Sequence, residues 1–165
     1  MNVALPTSGE RKLAATLVAC QLLLLGTQAL LRRRSRKPDW PRPPVVRVAT
    51  AALAVGGGVI LIAGAGALGR GLTASPLPNE HAQLRTGGLY RRMRHPIYSG
   101  LIALSLARTL DSRDHRQAVL SSALILLLRG KSSFEERALG RRFADYPAYA
   151  AATPRFIPRL RPSSP

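Results

Sequence analysis

Cysteine is nearly absent: Cys20 is the only one in 165 residues. A disulfide within the chain and a thiolate metal cluster are therefore excluded. Histidine, cysteine and carboxylate residues nowhere fall at ligand spacing, so no metal site is expected. Acidic residues are scarce, 8 Asp and Glu against 25 Lys and Arg, for a net charge of +17. Such basicity invites nucleic acid as a partner. Aromatic residues are only 5%, however, which leaves few platforms for stacking bases. The arginines also crowd against apolar runs, where meeting anionic lipid and setting topology is the plainer role. No nucleic-acid partner is expected, and a lipid bilayer is.

What the chain does have is segregated apolar sequence. Mean hydropathy is near zero, at +0.02, yet 46% of residues are hydrophobic. Leu13 to Leu31 is uncharged across 19 residues, and Val48 to Gly69 across 22. About 20 such residues in a helix cross a hydrocarbon core. The first run ends in Arg32-Arg33-Arg34-Ser35-Arg36-Lys37 rather than a small-residue cleavage site, so it reads as a retained anchor. Cys20 inside it reads as a small buried hydrophobe. A basic, proline-rich connector spans 32–44, with Trp40 suited to the headgroup level. The second helix, about 45–69, carries small residues four apart (Ala52 and Gly56, Ala63 and Ala67, Ala65 and Gly69), which favour close helix packing in lipid.

The remaining residues, 70–165, read differently. A turn-rich connector holds Pro76, Pro78-Asn79 and Gly87-Gly88. A helical hairpin follows, with arms at about 97–110 and 117–128 and a charged turn at 111–116. Arms that short reach only about 18–22 Å. Gly130-Lys131-Ser132-Ser133 reads as a break before a separate short helix over about 134–144, capped by Ser132 or Ser133. Pro147 suits the first position of another short helix. The expected fold is thus all-α: one integral membrane helical bundle over 1–165, with two N-terminal spans (1–69), a short hairpin and a C-terminal amphipathic segment (70–165).

Candidate chemistry concentrates in this second part. Arg94-His95-Pro96-Ile97-Tyr98-Ser99-Gly100 places a cation, an imidazole and a phenol at the start of the hairpin, and Glu135-Glu136 returns at its other end. Together with Gly88-Leu89-Tyr90, Glu135-Glu136-Arg137-Ala138-Leu139, the aromatics Phe143, Tyr146 and Tyr149, and Pro154-Arg155-Phe156-Ile157-Pro158, this order resembles the isoprenylcysteine carboxyl methyltransferase family over about 84–160. Phospholipid N-methyltransferases share much of the pattern. The resemblance implies an integral membrane enzyme using S-adenosylmethionine. It implies His95, Tyr98 and Gly100 at the cofactor, Glu135 and Glu136 closing its pocket, and Arg94 beside the methyl acceptor. Tyr90, Tyr146 and Tyr149 stand as substrate-side candidates, and Arg94 and His95 as catalytic ones. The resemblance implies a lipophilic small molecule or a prenylated terminus as acceptor.

The residue types suit that chemistry. A carboxylate acceptor is already ionised and needs a cation such as Arg94 to hold it. An amine acceptor must first lose a proton, and His95 is the base of the right type. The cofactor's own carboxylate would suit the positive start of the hairpin helix near Tyr98 to Gly100. Carboxyl O-methylation is the leading expectation. Phospholipid amine methylation, an NADPH-dependent membrane reductase and a non-catalytic membrane protein are the alternatives. If the hairpin returns, the site shares a face with the N-terminus. That face then carries 15 Lys and Arg against nine in the opposite connectors, which favours a cytoplasmic site; seven of those nine, however, crowd the sixteen residues from Arg32 to Arg47, which pulls the other way and leaves the topology open.

Overall fold

The computed structural model describes residues 6–34 and 41–159, all in helices, turns and connectors with no strand. Trp40, most of the basic connector after the first helix, and the last prolines lie outside the described residues. Among the described residues five α-helices follow in order: α1 Ser8–Arg34, α2 Pro44–Leu68, α3 Pro96–Ser112, α4 His115–Arg142 and α5 Tyr146–Ala152. Short 3-10 turns occupy Gly69–Gly71 and Gly88–Arg91.

α1 starts five residues earlier than the uncharged run. Thr7 and Glu10 explain this. The Thr7 hydroxyl accepts from the Glu10 N–H at 3.2 Å, and the Glu10 carboxylate accepts from the Thr7 N–H at 2.9 Å. Each satisfies a donor that a helix start leaves open. α1 and α2 are long and apolar enough to cross a membrane. Nearly all of both is unburied, with Leu22, Leu23, Leu30, Val55, Val59 and Ile62 pointing outward. Cys20 is exposed as well, contrary to expectation. α1 buries a narrow stripe, with Ala14 and Gln28 both covered, and Cys20 lies off it.

The helices form a row in the order α2, α3, α4, α1. α2 packs most closely on α3, α4 lies against both α3 and α1, and the two consecutive apolar helices hardly touch. The α2–α3 contact runs through Gly57, Gly64 and Gly100. A Cβ built on Gly100 would lie 2.6 Å from the Gly57 carbonyl oxygen, and one on Gly64 would lie 3.0 Å from Pro96. The three small pairs singled out from sequence do not make this contact: Gly56 and Gly69 face open space, Ala52, Ala63 and Ala67 are exposed, and the contact glycines are seven apart. Seven residues return to the same side of a helix, so one continuous stripe meets α3.

α4 corrects the expectation of a broken arm. It is a single helix of 28 residues, about 42 Å long. Gly130 sits where a Cβ would meet nothing, so the ladder passes through it without a steric reason to bend. The Ser132 and Ser133 hydroxyls donate back to the Arg129 carbonyl instead of capping a new helix. α3 is likewise longer than expected, at 17 residues. α5 begins one residue before Pro147.

Polar ties hold the row at both ends. At one end Gln28 of α1 bonds Ser105 of α3 (2.9 Å), Ser105 meets Ser121 of α4 (2.8 Å), and Gln117 donates to the Gln28 carbonyl (2.9 Å). Arg42 pairs with Asp111 at the same end. At the other end Arg141 of α4 pairs with Glu10 of α1 at 2.6 Å. The start of α1, the start of α3 and the end of α4 therefore share one end of the row, as the returning hairpin required.

Candidate functional site

His95 precedes α3, whose first residue is Pro96, and its side chain is 5% exposed. Proline fixes the backbone of the first helical position, where its missing N–H costs nothing. The Arg94 and His95 N–H groups donate to the Pro154 and Arg155 carbonyls, at 2.9 and 3.0 Å. The Ser99 hydroxyl donates to Phe156 at 2.7 Å. The C-terminal segment thus lies across the start of α3 and fixes the histidine corner from behind.

The two glutamates approach from α4. His95 Nε2 lies 3.0 Å from Glu136 Oε1, and Nδ1 lies 3.8 Å from Glu135 Oε2. The Tyr98 hydroxyl donates to the same Glu135 oxygen at 2.7 Å, and its ring lies parallel to the imidazole at 5.3 Å between centroids. The pieces that the sequence placed 40 residues apart meet as one cluster.

The cluster forms one wall of a cavity of about 450 Å³. All four tyrosines of the chain, Tyr90, Tyr98, Tyr146 and Tyr149, line it, with Arg94, His95 and Glu135. The connector residues Leu72 to Pro78 and Ala82 to Arg85 make the facing wall. Burial pushes the tyrosine phenols up, Tyr149 to about 12. Two donors at the wall lack a partner among the described residues: the buried Tyr146 hydroxyl and Arg94 Nε. A buried polar group without a partner is costly and calls for an explanation, a bound ligand, water or ion among them.

Two expected site residues have other surroundings. Gly100 does not line the cavity; its open side is filled by Gly57 and Leu61 of α2. Glu136 also lies behind the wall. Besides His95 it accepts from Arg155 at 3.0 and 2.5 Å and pairs with Arg94 at 3.2 Å. Burial alone would push its carboxyl up, but the bonds from His95 and Arg155 outweigh this and hold it at about 2. Glu136 is therefore the fixed anion that orients His95, Arg94 and Arg155, while Glu135 is the carboxylate presented to the cavity.

Two cavity residues escaped the sequence reading. Lys131 is 1% exposed and donates to Gln21 of α1 at 2.5 Å and to the Ala74 carbonyl at 2.8 Å. Its ammonium lies 5.4 Å from the centre of the Tyr98 ring. Gln21 is one of two amides, with Gln28, inside an uncharged apolar run, and a polar residue in such a run is a signal in itself.

No family model matches the chain, and no curated protein does.

Proposed function

We propose that this chain is an integral membrane S-adenosylmethionine-dependent methyltransferase that esterifies the carboxylate of a lipophilic acceptor, an isoprenylcysteine-like one by the resemblance of its motifs. The observation that carries the reading is the corner of His95, Tyr98 and Glu135 on the wall of a tyrosine-lined cavity beside two unpartnered donors. The cavity volume falls within the about 300–1,000 Å³ usual for small-molecule sites. Tyrosine faces and a carboxylate suit a sulfonium cation with an amino group and a ribose diol. The exposed apolar surfaces of α1 and α2 support residence in a bilayer. The excess of positive charge at the site's end supports a cytoplasmic orientation.

The cofactor, when bound, supplies a methyl group already activated on sulfur. The protein's task is then to hold the acceptor in line and keep water out. Tyr146 and Arg94 have hydrogen-bond donors to spare at the cavity wall, which suits an acceptor oxygen that carries negative charge. His95 has one nitrogen bonded to Glu136 and the other facing Glu135, so it is poorly placed to take a proton from an amine. A carboxylate needs no such base, and this favours ester formation over amine methylation. Glu136 keeps Arg94 and His95 in register.

Incubation of the full-length protein in native lipid with tritiated-methyl S-adenosylmethionine tests the reaction. Label should enter a lipophilic fraction and be released as volatile methanol by mild base. Base-stable label would point to amine methylation, and no transfer into any lipid, protein or small-molecule fraction would refute the reading.

A further inference from the structure

Lys131 has no part in the chemistry described so far, yet it is the most deeply buried cation on the cavity wall. A lysine is almost never fully buried without a reason. Two of its three donors are spent on Gln21 and the Ala74 carbonyl, which come from α1 and from the connector. All of these neighbours, with Tyr98 beneath the ammonium, line the cavity. One donor remains.

Glu135 lies four residues further along α4, one turn away on the same face, and also lines the cavity. Its Oε2 takes the Tyr98 hydroxyl, while its Oε1 accepts from no described residue. The wall thus presents a fixed cation and a fixed anion side by side, each with bonding capacity in hand. An ammonium and a carboxylate on one carbon atom match that pattern.

The start of α3 competes poorly for the carboxylate. The backbone near Gly100 is pressed against Gly57 and Leu61 of α2. Carbonyl oxygens of Arg155 and Phe156 crowd the other side of the helix start. Arg94 spends its two terminal nitrogens on Glu136 and the Ala150 carbonyl, and its remaining Nε donor is the one assigned above, with Tyr146, to the methyl acceptor.

We infer that Lys131 and Glu135 together form a receptor for an α-amino-acid zwitterion, Lys131 taking the carboxylate and Glu135 the ammonium. This rests on the S-adenosylmethionine reading and assigns the methionyl end of the cofactor to α4. Gln21 and Ala74 hold the lysine in place, so α1 and the connector share in cofactor selectivity.

The test is equilibrium binding of S-adenosylhomocysteine and its decarboxylated analogue to the full-length protein in detergent. A charge-assisted hydrogen bond in a buried site should make the wild type prefer the carboxylate-bearing ligand by about 10–100-fold. In Lys131→Met, S-adenosylhomocysteine should weaken to the level of the decarboxylated analogue, whose own affinity changes by less than about threefold. Equal weakening of both ligands would make Lys131 a pin for the connector and overturn the assignment. The wild-type comparison needs no variant to fold: equal affinity for the two ligands overturns it as well. Failure of the wild type to bind either ligand would instead refute the methyltransferase reading.

Discussion

The helix contact at Gly100 offers a quantitative test, because the sequence motif and the structure give this glycine different work. An ideal Cβ at position 100 would lie 2.6 Å from the Gly57 carbonyl oxygen, 2.7 Å from Leu61 Cβ and 2.9 Å from the Leu61 nitrogen. Comfortable non-bonded contacts begin at about 3.5 Å. Two of the three obstacles are backbone atoms and cannot rotate away, so α2 and α3 must part by roughly 1 Å. Overpacking of this kind costs about 1–3 kcal/mol, and for a chain of this size that lowers the melting temperature by about 3–10 °C. Gly100→Ala is thus expected to melt early in detergent, while the folded protein keeps its affinity for S-adenosylhomocysteine. Gly58→Ala and Gly66→Ala face open space inside α2 and should be neutral to about 1 kcal/mol more stable than wild type. Gly57→Ala meets Ala103 Cβ at 2.9 Å and should also destabilise. Its combination with Gly100→Ala should cost less than the sum, since one separation relieves both clashes. If Gly100→Ala melts with the two control variants, the close α2–α3 approach is wrong. If it melts normally but loses ligand, the cofactor role suggested by the motif is restored.

Glu136 should be a stability residue first. Glu136→Ala strands Arg94 and Arg155 and should cost about 3–5 kcal/mol, read as a large fall in melting temperature; a melting temperature like that of wild type would contradict the anchoring role. Its carboxyl is held at about 2 in the folded chain against an ordinary 4.5. Its contribution, of the order of 2–3 kcal/mol, is therefore complete above about pH 4.5 and lost as pH falls towards 2. Glu136→Gln should lack that part of the acid profile, and an unchanged acid profile would argue against the pairing. The tyrosines bear on the alkaline side. Because burial raises the folded phenols, Tyr149 to about 12, their contribution is present below the ordinary value near 10 and lost as pH rises through about 12. Absorbance at 295 nm should stay flat through pH 10 and rise together with unfolding; a normal phenolate titration in folded protein would mean that the cavity is open to water.

Much of this architecture can be read from local signals. Two uncharged runs locate α1 and α2 to within a few residues. Proline and histidine locate the start of α3, and the spacing of motifs brings His95 to the glutamates. What escapes depends on which way side chains turn and what stands beside them. Gly130 and two serines look like a break until the structure shows empty space beside the glycine and hydroxyls bonding backward. Choosing Gly57 over Gly56 requires knowing which face meets α3. Adjacent glutamates share a type, yet their roles divide because helical geometry turns Glu135 to the cavity and Glu136 to Arg155. Lys131 is the instructive miss: its four-residue spacing to Glu135 was visible, but not the burial that gives the pair its meaning. The capping box at Thr7 and Glu10 was visible too, and it accounts for the early start of α1.

The proposed cofactor site is the corner of His95, Tyr98 and Glu135, holding S-adenosylmethionine. Equilibrium dialysis of tritiated S-adenosylmethionine against the full-length protein in lipid nanodiscs tests it most directly, with wild type, His95→Ala and Glu135→Gln in parallel. Saturable binding to the wild type, weakened at least about tenfold in both variants and not displaced by NADPH, is the expected result. Absence of saturable binding, or equal affinity in all three proteins, would contradict the account.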